Sequence, residues 1–167
     1  MPAQQRYEAW SLPSFEVGAE AFRALIQGDA APDVARLSDE DETRLTMALG
    51  SSGGFAAKAG KLYLRAFGHE QGCIAFTGFD GTPDSIARRR GRTAEILRAH
   101  GAVALGTRPG GSWLRGRFAA PYLRDELMDR GVMVETLETA TTWSNLATLY
   151  DAVGEALRGA LSDRGTP

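Results

Sequence analysis

Apolar and polar positions follow two different periods along the chain, and each change of period marks an element. From Arg6 to Phe15, Tyr7, Trp10, Leu12 and Phe15 stand among polar residues. That mixture predicts an extended segment, with Pro13 drawing it to a sheet edge. Gly18 to Gln27 carries Ala19, Phe22, Ala24, Leu25 and Ile26 at helical spacing, and Gly28 stops it. A short strand is expected from Pro32 to Leu37. Ser38 then caps a helix reaching about Leu49, with Asp39, Glu40, Asp41 and Glu42 in its first turn, where carboxylates suit the positive end of the dipole. This acidic run is expected to be a solvated helix start; neighbouring carboxylates point to different faces and no histidine joins them, so no metal site is expected.

Gly50 to Gly60 is small and Gly/Ser-rich, the composition of a mobile loop. Lys61 to Phe67 alternates Leu62 and Leu64 with Tyr63 and Arg65, which fits either a strand or irregular chain. Gly72 to Phe79 is the strongest buried-strand candidate. Thr82 and Pro83 supply an N-cap and a first-turn proline for a helix that runs to His100 and stops at Gly101. Its apolar side uses Ile86, Ala87, Ala94, Ile96 and Leu97, leaving Arg88, Arg89, Arg90 and Arg92 as a solvated face, with phosphate binding as the alternative. A strand from Ala102 to Leu105 leads into Pro109-Gly110-Gly111, expected as a turn. Its glycine spacing does not match a dinucleotide fingerprint. Pro121 to Arg130 is a helix stopped by Gly131, followed by a strand from Val132 to Ala140. Ser144 begins an amphipathic helix with Leu146, Leu149, Tyr150, Val153, Leu157 and Leu161 on one side; residues 162–167 are tail.

Strand-helix-strand occurring twice, with extra helices, predicts an α+β, ferredoxin-like sandwich: a largely antiparallel sheet with helices on one face. Trp10, Cys73, Phe76, Phe79 and Leu137 cannot all point under those helices. The uncovered face therefore calls for another domain, a second copy or a ligand.

Composition narrows the classes further. At 167 residues the chain is one domain, 1–167, large enough for a core, and a net charge of -2 gives no reason to expect nucleic acid. No run approaches the length of a membrane span, and the single cysteine, Cys73, fits a reducing compartment, so a cytoplasmic location is expected. Common catalytic signatures (GxSxG, HExxH, phosphate-loop, paired CxxC, EF-hand) do not occur, and no catalytic residue is assigned. His100 suits a helix C-terminus, His69 has no evident partner, and Cys73 fits an inert core position. Glu135 and Glu138, three apart on a strand, face opposite sides and cannot act as an acid–base pair.

Arg124 and Asp125 leave two readings open: an ordinary surface ion pair, or a fork turned into a pocket. They lie in a run, Ser112 to Trp143, that sets aromatic rings and arginines around glycines, a mixture suited to an anionic or carbonyl ligand. Tyr122-Leu123-Arg124-Asp125, followed by Glu135-Thr136-Leu137-Glu138-Thr139 and Trp143, resembles the cap region of the alkyldihydroxyacetonephosphate synthases, FAD-linked oxidases with a vanillyl-alcohol-oxidase-type flavin domain. The likeness reaches back through Gly72 to Gly81 and, more weakly, Arg36-Leu37-Ser38-Asp39.

That resemblance implies a substrate-binding cap laid over a flavin, with Arg124 holding substrate and Ile74 and Phe76 lining an apolar channel. It also implies FAD in the parent enzyme, not bound by this chain alone. Neither the family's flavin domain nor its catalytic tyrosine and histidine cluster has a counterpart here, so a fragment inactive by itself is expected. Its partners would be a small-molecule substrate and the parent's flavin-binding domain. The competing reading is a free-standing α+β ligand-binding module, homodimeric through its open sheet face and without catalysis.

Overall fold

Ser14 shows how local chemistry starts an element: its hydroxyl accepts from the Val17 amide at 3.2 Å and opens the first helix. The computed structural model describes residues 3–50, 55–118 and 120–165. In chain order these form β1 (Gln4–Leu12), α1 (Phe15–Gln27), β2 (Val34–Leu37), α2 (Glu40–Gly50), α3 (Phe55–Ala66), β3 (Cys73–Gly81), α4 (Pro83–Ala99), β4 (Val103–Gly106), α5 (Thr107–Gly116), α6 (Ala120–Met128), a 3₁₀ turn (Trp143–Asn145) and α7 (Leu146–Ser162). They divide into two compact units, Met1–Pro121 and Tyr122–Pro167.

In the first unit the strands form one open antiparallel sheet, ordered β2-β3-β1-β4. With α2 and α3 taken as an insertion between β2 and β3, this is the ferredoxin-like α+β arrangement the strand and helix order predicts. β1 is an inner strand, not an edge: Pro13 falls just beyond Leu12, where its missing N–H costs the ladder nothing.

Alternation assigns the faces. Trp10 and Leu12 of β1 and Cys73 and Ala75 of β3 pack with Ala21 and Leu25 of α1 and Ala94 and Leu97 of α4. Each large side chain buried there contributes about 1.5–3 kcal/mol. Polar atoms on this side are satisfied: the Trp10 indole donates to Thr77 Oγ1 at 3.1 Å, and Thr93 Oγ1 donates to the Ala30 carbonyl at 2.7 Å. Glu8 is buried with Arg90 Nη2 at 2.7 Å and Arg6 Nε at 3.0 Å. Burial pushes its carboxyl up, but the bonds from Arg90 and Arg6 outweigh that and hold it below the usual range.

Several expectations need correcting. The α4 arginines are only in part a solvated face: Arg88 and Arg92 are exposed, Arg92 donating to the Gly28 carbonyl at 3.0 Å, whereas the half-buried Arg89 pairs with Asp33 at 2.7 Å and Arg90 holds Glu8. Ala87 is exposed rather than apolar lining. Nor is the acidic run at the start of α2 merely solvated. Asp39, not Ser38, accepts from the Glu42 amide at 2.7 Å, Glu40 accepts from the Phe15 amide at 2.8 Å, and Glu42 pairs with Arg36. In the expected loop, residues 51–54 lie outside the described residues; from Phe55 the chain is helical through Gly60 to Ala66.

Pro109-Gly110-Gly111 is not a turn but lies inside α5. Pro109 sits in the first helical turn, where its missing N–H is not needed. A side chain at Gly110 would come within 2.6 Å of the Tyr7 and Glu8 backbone, so glycine is what lets α5 lie directly on β1.

In the second unit, Gly131 (φ +77°) ends α6 as expected, but no strand forms from Val132 to Ala140. A strand needs a neighbour for its ladder, and none lies beside this stretch among the described residues of the unit. Glu135 and Glu138 therefore do not occupy opposite sheet faces. Thr166 and Pro167 of the expected tail are outside the described residues. Among the described residues no helix is long and apolar enough to cross a membrane.

Candidate functional site

The sheet face turned away from α1 and α4 carries the odd positions of β1 and the even positions of β3. Ile74 and Phe76 therefore share a face, two residues apart, and both are half-buried. The ladder sets Ala9 and Arg36 beside Phe76, and Arg36 is drawn to Glu42. Further along the same face the Tyr7 ring lies across Gly78, where a side chain would come within 2.5 Å of it.

Helix α5 supplies the rest. Gly106 turns the chain at φ +88°, which glycine adopts without strain, and the helix begins at once. Trp113 lies flat on Phe76, with ring centroids 5.0 Å apart at 14°, and is 6.1 Å from Tyr7. One helical turn later the Arg117 guanidinium lies over the Trp113 ring at 4.8 Å and over Phe118 at 5.0 Å. A cavity of about 290 Å³ opens between α5 and the start of β1, lined by Tyr7, Thr107, Gly111 and Leu114 with Gln4 to Arg6.

Arg124 lies in the other unit, on α6. Its Nη2 faces Glu135 Oε2 at 3.6 Å, and both side chains are about half exposed. The structure thus brings Ile74 and Phe76 together on one face and gives Arg124 a carboxylate partner within its own unit.

The remaining reactive side chains are withdrawn. Cys73 is fully buried, and burial pushes its thiol up to about 12, so it is not a nucleophile at neutral pH. His69 does have a partner: it is buried with Nδ1 3.0 Å from Ser11 Oγ. Burial pulls its pKa down, against hydrogen bonding to Ser11 that pushes it up. His100 closes α4 with Nδ1 2.8 Å from the Ile96 carbonyl oxygen. Among the described residues, no group of three His, Cys, Asp or Glu could hold a metal ion. What this face offers is flat apolar surface and fixed positive charge, the means to bind and orient a ligand.

Sequence reasoning missed Trp113 and Arg117 as neighbours of Phe76. Their i, i+4 spacing was the available signal, but it means contact only on a helix, and the Pro-Gly-Gly run concealed the helix.

Residues 1–161 match the family described as FAD linked oxidases, C-terminal domain. The chain is 30% identical to the alkyldihydroxyacetonephosphate synthase of Trypanosoma brucei brucei, covering 99% of this chain and 28% of that enzyme. Against the enzyme of the same name from Dictyostelium discoideum it is 29% identical, covering 100% and 28%. A solved structure of alkyldihydroxyacetonephosphate synthase in P1 superposes with a TM-score of 0.86 at 28% identity, over 98% of this chain and 32% of that one. The chain thus spans less than a third of the length of these relatives.

Proposed function

The chain belongs to the C-terminal domain family of FAD linked oxidases, and from that premise we propose that it is the substrate-binding cap of an FAD-dependent enzyme of the alkyldihydroxyacetonephosphate synthase kind. Its work is to place a substrate with an anionic head and an apolar body over the flavin. The flavin supplies the redox or group-transfer chemistry when bound; this chain's residues bind, orient and exclude water. The observation that carries the reading is the half-buried pair Ile74 and Phe76 on the face away from α1 and α4, roofed by Trp113. Arg124 holds the anionic head, a role in which an incoming anion competes with Glu135.

This chain's own glycine-rich stretch does not fit a flavin pyrophosphate, because Gly110 is pressed against the β1 backbone within α5. The reading therefore assigns the flavin to a separate flavin-binding domain. In the flavin-loaded enzyme, Phe76→Ala and Arg124→Ala are each expected to weaken substrate binding by roughly tenfold or more, the scale of one lost apolar or charged contact. Unchanged substrate affinity and turnover in both variants would refute the assignment.

A second reading, a module that dimerises without catalysis, is favoured by the exposed Val153, Leu157 and Leu161 of α7. Light-scattering mass separates the two: a tight dimer with no affinity for amphiphiles supports the second.

A further inference from the structure

The geometry points to Arg117 as an oxyanion-binding residue at the rim of the Ile74–Phe76 face, where it takes the phosphate or carboxylate head of an amphiphile. The inference rests on the reading above, in which that face takes the apolar part.

Three observations lead to it. First, Arg117 is joined to Phe76 by ring contacts within one compact unit: Phe76 stacks on Trp113 at 5.0 Å, and the Arg117 guanidinium lies over Trp113 at 4.8 Å. Second, an aromatic ring beneath a guanidinium takes up none of its charge with a carboxylate, and a guanidinium carries five N–H donors able to fork an oxyanion. Among the described residues those donors make no hydrogen bond and no ion pair. Arg124 differs, since its Nη2 already faces Glu135 at 3.6 Å, and so does Arg36, which is held by Glu42. Third, the group lies against two rings without being neutralised. The Trp113 and Phe118 rings restrict the side chain through cation–π contacts, so less rotamer freedom remains to be lost when an anion arrives. A long apolar chain lying on Phe76 and Ile74 and ending beside Trp113 would present its head group to this fork.

The test is calorimetric titration of the full chain, wild type and variant, with octyl phosphate, octanoate and octanol. Arg117→Ala is expected to weaken the anionic ligands by about 10- to 100-fold, the range for a charged hydrogen-bonded contact, and to leave octanol unchanged. Arg117→Lys should recover part of the loss, because a point charge replaces a fork. A loss confined to octyl phosphate identifies a phosphate site, one confined to octanoate a carboxylate site, and equal losses a general oxyanion site; each supports the inference. Should Arg117→Ala fold poorly by circular dichroism, Arg117→Gln takes its place with the same expectation.

Unchanged anion affinity overturns the inference, as does an equal loss for octanol, which would mark a packing role. So does a wild-type chain that binds none of the three. Phe76→Ala separates this from the cap reading: it should weaken all three ligands. If it alters none while the Arg117 variants still discriminate by charge, the apolar-face reading fails and the anion site stands.

Discussion

Helices α1 and α7 carry the same kind of amphipathic stripe and meet different fates. α1 buries Gly18, Ala21 and Leu25 against the sheet, with Leu25 only 1% exposed. α7 places Val153, Leu157 and Leu161 at equivalent helical spacing and leaves them 36%, 45% and 42% exposed. The difference extends to the whole of each unit: no described side chain from Tyr122 to Gly165 is buried, whereas the first unit closes a core around Trp10, Leu12 and Leu97. Helical periodicity states that a helix has an apolar side and is silent on what covers it. Covering needs a second surface of matching shape, and in the first unit the sheet provides it.

The sharpest way to break this contrast is to remove a fully buried ring. Phe79→Ala should destabilise the first unit by about 3–5 kcal/mol, through lost transfer energy and the cavity left behind. A urea midpoint that scarcely moves would mean that β3 does not organise the core as described.

Acidification should act more gently and in two stages. Burial holds His69 below its ordinary value of 6.5, so the unfolded chain takes up the proton first. Its contribution is complete above about pH 6.5 and is lost as pH falls through the folded value. Glu8 and Asp33 follow. Burial raises Glu8, but the Arg90 and Arg6 bonds win, and the Arg89 hydrogen bond lowers Asp33. Their contributions are present above the ordinary values of 4.5 and 3.8 and disappear below them. The indole N–H resonance of Trp10, bonded to Thr77, reports on this unit. Stability that stays level from pH 7 to pH 5 would contradict the buried, neutral state of His69.

The smallest effect should come from α7. Leu157→Ala, at a position 45% exposed, should change stability by no more than about 0.5 kcal/mol. A loss comparable to that of Phe79→Ala would mean that the α7 stripe is covered in solution, which would favour a dimer.

Legibility followed the same division. β3 was readable because Cys73 to Phe79 is apolar on both faces. α4 announced itself through Thr82, Pro83 and His100, and α1 through its helical spacing and Gly28, although the Ser14 cap starts α1 at Phe15 rather than Gly18. The pairing of Ile74 with Phe76 followed from strand alternation. The contact of Phe76 with Trp113 and Arg117 did not, because it depends on α5, whose first turn has the composition of a bend. Val132 to Ala140 was misread for the opposite reason: Val132, Val134 and Thr136 favour a strand, and no neighbour completes it.

By itself, then, the order of residues determined the local elements with strong caps and clear periods, the antiparallel α+β class and the family likeness. Each of these rests on interactions between residues close in the chain, or on a pattern that survives without coordinates. Tertiary structure alone decided that the α4 arginines hold Asp33 and Glu8, that His69 meets Ser11, and that glycine at 110 lets α5 set Trp113 on Phe76. Those pairings join residues far apart in sequence. The free energy that selects them comes from burial and charge neutralisation, which exist only once the sheet has formed.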